Sequence, residues 1–187
     1  MDSFSYLAVL LSIILGLGLT QLLTAAGRLI RYRDRVRVQW LPLLWAAILL
    51  LIYVQVWWSM YGLRLRSGWT FLDFSIVLAQ TATLYIMAAV VLPEEVETTG
   101  TDLGVYFDRQ HRWFFGFFLA TLVVSVIKDV VLGGRLPDPV NLAFHALFAA
   151  GCLTGLFVRR RRYQEVLGIG FAVAIVAYVG LLFARLS

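Results

Sequence analysis

The chain has 187 residues, of which 61% are hydrophobic and 14% charged, whereas an ordinary soluble domain is roughly half apolar and about a quarter charged. Surface-to-volume scaling limits how much a small domain can hide from water, so this composition excludes a soluble fold. The formal charge of +5 does not point to nucleic acid, because the arginines cluster beside apolar runs, where they set membrane orientation and meet anionic headgroups.

A helix needs about 20 apolar residues to cross the hydrocarbon core of a bilayer. Six segments qualify, approximately 4–27, 40–63, 71–92, 113–132, 140–158 and 166–184. The predicted fold is an all-α, polytopic transmembrane bundle of about six spans, forming a single domain over 1–187. Pro93 with its acidic neighbours, Gly133-Gly134, Pro137, Pro139 and the Arg159 to Arg162 block supply the stops between spans.

The first span is preceded by one charged residue, Asp2, and followed by Arg28, Arg31, Arg33, Arg35 and Arg37. A secretory signal has its positive charge in front, so this segment is expected to stay as a membrane helix. Ala8, Ser12, Gly16, Thr20 and Thr24 recur in it every four residues and form a small-residue ridge. Such a ridge lets a second backbone approach closely where no hydrophobic force acts between helices. Gly151 and Gly155 in the fifth span, and Gly168 and Ala172 in the sixth, are shorter versions. The ridges suit a homo-oligomer or a membrane-protein partner, although packing within the chain is their commoner use.

Polar side chains are few, and several share helix faces. Gln21 adjoins Thr20 in the first span, Gln55 and Ser59 lie on one face of the second, and Asp73 and Gln80 on one face of the third. In the fourth span Thr121, Ser125 and Asp129 repeat every four residues, with Lys128 beside the last. Together these groups suit a hydrated path or a ligand site; their commoner role is interhelical hydrogen bonding, worth about 0.6 kcal/mol per contact. Lys128 and Asp129 lie within about one turn of Gly133, so snorkelling to the interface is the plain alternative. Asn141 and His145 are one turn apart in the fifth span, where His145 is a candidate proton acceptor or, more commonly, a structural hydrogen bonder.

The connection 93–112 is read as an acidic cytoplasmic loop, with Glu94, Glu95, Glu97, Asp102 and Asp108. Leu103, Tyr106, Phe107 and Phe114, after a cap at Thr101, predict a short interfacial helix feeding the fourth span. Asp108 and His111 have i, i+3 spacing and form a weak metal candidate; no other metal site and no cofactor is indicated. The lone Cys152 allows no disulfide within the chain.

Basic residues in short loops mark the cytoplasmic side. The loops after the first, third and fifth spans carry eleven arginines, against Arg64, Arg66, Lys128, Arg135 and Arg185 on the other side. Both termini are therefore expected to be non-cytoplasmic, in a cell membrane of the bacterial inner-membrane type. Walker, HExxH and GxSxG patterns are absent, and no catalytic residue is assigned.

Three functions remain open. Packing devices outnumber chemical ones, so a non-enzymatic assembly or scaffold protein is the first expectation. A small channel or transporter for an ion or small polar solute is the second, with Gln21, Gln55, Gln80, Thr121, Ser125 and Lys128 lining the path. The third is a membrane-interface enzyme acting on a lipid or redox substrate through Asp108 and His111.

Overall fold

The computed structural model describes residues 3–66 and 68–182. It contains six long helices: α1 (Ser3–Arg31), α2 (Trp40–Met60), α3 (Phe71–Val91), α4 (Leu103–Gly133), α5 (Pro139–Phe157) and α6 (Arg161–Leu182). All six are long and apolar enough to cross a bilayer. Within hydrocarbon there is no water to satisfy the backbone, so each apolar segment pairs its own N–H and C=O groups as a helix. The protein is an all-α, multi-pass membrane bundle, as the number and length of the apolar segments predicted.

Local chemistry sets the helix ends. The Thr70 hydroxyl accepts from Asp73 N–H at 3.1 Å while Asp73 Oδ2 accepts from Thr70 N–H at 3.0 Å, a reciprocal capping box that opens α3. Asp73 is also held by Arg66 at 3.1 Å. Asp138 caps α5 through Val140 N–H at 2.8 Å, with Pro139 in the first turn, where its missing N–H costs nothing. Gly134, at φ 65°, closes α4 in the left-handed conformation that glycine adopts freely.

One boundary differs from expectation. Leu103 to Arg112 does not form a separate interfacial helix; it is the beginning of α4, which runs unbroken to Gly133. The cap is Asp102, whose Oδ1 accepts from Gly104 and Val105 N–H at 2.8 and 3.1 Å. Leu103, Phe107, His111 and Phe114 are all buried, so one continuous buried stripe at helical spacing removes any reason for a break.

Helices α2, α3, α4, α5 and α6 pack in that order into a closed ring, with α6 returning to α2. Helix α1 stands outside the ring, against α3 and α2. Two ends follow. At the arginine-rich end, two-residue strands β1 (Val36–Arg37) and β2 (Thr101–Asp102) pair in parallel. There Arg28 donates to the Glu94 carbonyl, and Arg161 to Gln39 Oε1. At the opposite end, called the terminal end because α1 starts and α6 finishes there, Arg66 donates to the Leu132 carbonyl. Large apolar side chains such as Trp57, Phe71, Phe157 and Val173 point outward, where lipid is their solvent.

Candidate functional site

The half of the ring nearest the arginine-rich end is filled by aromatic rings. Trp45 is fully buried, with ring centroids 5.1 to 5.3 Å from those of Phe171, Phe114 and Phe115. Phe118 and Phe148 stack onto the same group through Phe171, at 5.4 and 5.3 Å. Close ring packing at these distances, mostly edge-to-face, fills this half of the ring.

Above this plug lies a cavity of about 300 Å³. Phe118 and Phe148 form its floor, and its polar wall is Gln55 and Ser59 from α2, Gln80 from α3, Thr121, Ser125, Lys128 and Asp129 from α4, Asn141 and His145 from α5, and Tyr178 from α6. Every helix of the ring contributes. From Phe118 to Asp129 helix α4 rises about 16 Å, so the cavity reaches roughly half-way into a ~30 Å hydrocarbon core. Leu63, Lys128 and Asp129 also line an outer vestibule of about 690 Å³ at the terminal end, with Arg66, Arg135 and Asp138. The cavity is thus a blind pocket whose mouth faces the terminal end.

A hydrogen-bond chain fixes one wall. His145 Nδ1 lies 2.9 Å from the Asn141 carbonyl, which can only accept, so Nδ1 carries the proton and donates. Nε2 then faces Ser125 Oγ at 3.2 Å; on a neutral ring it accepts the Ser125 hydroxyl proton. Tyr178 donates to Asn141 Oδ1 at 3.1 Å. Helices α4, α5 and α6 are tied together by groups that still border the cavity.

Other lining groups are unfinished. Gln80 is 4% exposed, and among the described residues its Oε1 has no hydrogen-bond partner. Lys128 has one ionic partner among the described residues, Asp129 Oδ1 at 4.0 Å, beyond hydrogen-bond reach. A buried orphan acceptor costs about 1–3 kcal/mol, and such groups are retained where something else completes them. Water fits such a place, and so does a polar solute.

No family model, curated protein or solved structure matches the chain.

Nine of the ten residues expected on a polar path therefore surround one space: Gln55, Ser59, Gln80, Thr121, Ser125, Lys128, Asp129, Asn141 and His145. Thr121 also bridges α4 to α3, with its hydroxyl 2.9 Å from that of Thr83. The tenth, Gln21, is elsewhere, because α1 stands outside the ring and contributes nothing to the lining. Tyr178 escaped sequence reasoning, since an aromatic residue in an apolar run reads as core; its spacing from Phe171 and Ile175 places it on the buried face of α6.

The small-residue positions divide into two groups. On α5, a Cβ added at Gly155 would come within 2.8 Å of the Phe115 ring, and one at Gly151 would collide with Phe171; these glycines admit the aromatic plug. On α1, Leu11, Leu15, Gly18, Leu22, Ala25 and Leu29 turn inward, whereas Ser12, Thr20 and Thr24 are exposed. Ala8 and Gly16 are half-buried, and a Cβ at Gly16 would meet nothing within 4 Å. Ala8 and Ser12 thus border a cavity shared with Trp57 and Trp58 of α2, whereas Thr20 and Thr24 stand on the exposed face of α1. Gly18, which the four-residue repeat skips, is the glycine that lies against Tyr53 of α2.

Asp108 and His111 do not form a paired site. His111 Nδ1 donates to the Asp108 backbone carbonyl at 2.8 Å, while the Asp108 side chain is exposed. Among the described residues no group of three or more His, Cys, Asp or Glu side chains is close enough to share a metal.

Proposed function

We propose that the protein is a carrier for a small polar solute, captured in a form open at one face of the membrane and closed at the other. The observation behind this reading is a blind cavity walled by polar groups from all five ring helices, where the Gln80 acceptor lies buried and unpaired. Polar groups inside a membrane are expensive and face water-filled or ligand-filled space. The aromatic plug speaks against a permanently open channel, because a continuous path would have to pass Trp45 and Phe115. By the arginine asymmetry, the mouth faces away from the cytoplasm.

Reconstituted protein is expected to take up small polar solutes into proteoliposomes saturably. Gln80→Leu, which removes the orphan acceptor, is expected to raise the half-saturating concentration about tenfold, since a lost hydrogen bond in such a site is worth about 1–1.5 kcal/mol. Uptake no faster than in protein-free vesicles, across a panel of acidic, basic, zwitterionic and neutral solutes, would contradict the reading.

A second reading concerns assembly. Ser12, Thr20 and Thr24 are exposed on α1 with Gly16 half-buried between them, and lipid-facing small residues permit close helix pairing. This ridge fits a second copy or another membrane protein. A Thr20→Cys variant is expected to form a crosslinked dimer in native membranes, and Gly16→Leu to abolish it. The same crosslink yield with Gly16→Leu would remove this support.

A further inference from the structure

Resting on the reading of the cavity as a solute site, we infer that the solute is a zwitterion, an ammonium and a carboxylate carried on one small molecule. Two charged side chains line the cavity, Lys128 and Asp129, and both also line its mouth. Their formal charges cancel. A ligand with net charge would leave an uncompensated ion in a low-dielectric space, which costs several kcal/mol, whereas a net-neutral ligand adds no such cost.

The two side chains do not satisfy each other. Lys128 Nζ and Asp129 Oδ1 are 4.0 Å apart. An ammonium has three protons to donate, and a carboxylate can accept about four, so each keeps nearly all of its hydrogen-bonding capacity. Exposure of the Lys128 side chain is 14% and of Asp129 30%, so what remains is directed largely at the cavity and vestibule rather than at bulk water. A ligand carboxylate completes Lys128, and a ligand ammonium completes Asp129. A purely neutral polyol also makes charge-assisted hydrogen bonds to both, but it adds no opposite charge, so it lacks the Coulombic attraction that an ionised ligand group gains in a low-dielectric space.

Size agrees with a molecule of amino-acid dimensions. About 300 Å³ is the volume of on the order of ten water molecules. Deeper in, Gln80 Oε1 offers an acceptor with no partner, suited to a hydroxyl, amide or second N–H on the body of the ligand.

The test uses the full chain in lipid nanodiscs and follows thermal unfolding with added ligand. Glycine, L-serine, L-glutamine and glycine betaine are compared with propionate, ethylammonium and glycerol at equal concentration. At least one zwitterion is expected to raise the unfolding temperature saturably, and the three truncated or neutral compounds to leave it unchanged. Lys128→Gln and Asp129→Asn are each expected to weaken zwitterion binding at least tenfold. Equal stabilisation by propionate, ethylammonium or glycerol overturns the zwitterion assignment while leaving a solute site standing, and so does full affinity in either variant. Silence from every compound overturns both. The wild-type comparison decides by itself should a variant fail to fold.

Discussion

At the scale of single residues, the pocket is held by a few directional bonds. His145 has both ring nitrogens engaged, by the Asn141 carbonyl and Ser125, so its ring is oriented before any ligand arrives. Replacing it by glutamine keeps a polar group but loses the two-sided geometry. His145→Gln is expected to weaken solute binding about five- to tenfold and to cost about 1 kcal/mol of stability, since a typical net hydrogen bond contributes about 1 kcal/mol; thermal-shift titration reads both quantities. Asp73 has a different role. It is buried in the α3 capping box and paired with Arg66, so Asp73→Ala is expected to cost about 1–2 kcal/mol of stability without changing affinity at saturation.

At the scale of elements, glycines separate packing inside the chain from a surface left free. Gly151→Leu drives a side chain into Phe171 of the plug and is expected to destabilise the fold by about 1–3 kcal/mol or more. A Cβ at Gly16 meets nothing within 4 Å among the described residues, so Gly16→Leu is expected to leave monomer stability within about 0.5 kcal/mol. Equal losses in the two variants, measured by chemical unfolding in detergent, would show that α1 packs otherwise. The sequence could not distinguish these positions. Ser12, Gly16 and Thr20 repeat at helical spacing, and so do Leu11, Leu15 and Leu22; in lipid neither face is required to turn inward, and the neighbouring helices decide. The start of α4 was equally illegible, because Leu103 to Arg112 mixes charge with apolar residues and hydropathy alone does not show that the helix continues. The six spans were legible for the opposite reason, since bilayer thickness imposes a length of about 20 apolar residues.

At the scale of the whole molecule, a five-helix ring encloses a half-depth pocket, and α1 is attached outside it. The four-residue repeat of Thr121, Ser125 and Asp129 put these groups on one face of α4 from sequence, as the paired spacings of Gln55 with Ser59 and Asn141 with His145 did on α2 and α5; that those faces border one cavity is seen only in the packed ring. What sequence did not reveal was the plug: Trp45, Phe114, Phe115 and Phe171 come from three helices, and only their packing closes the ring at one end. That closure supports the proposed carrier over a pore, and it makes the pocket one-sided. Ser125→Cys places a thiol on the pocket wall, while the native Cys152 is fully buried and provides an unreactive background. Labelled with a membrane-impermeant maleimide, this variant is predicted to react from the non-cytoplasmic face of intact cells and not from the cytoplasmic face of inverted vesicles. Reaction from the cytoplasmic face alone, or from neither, would contradict the account.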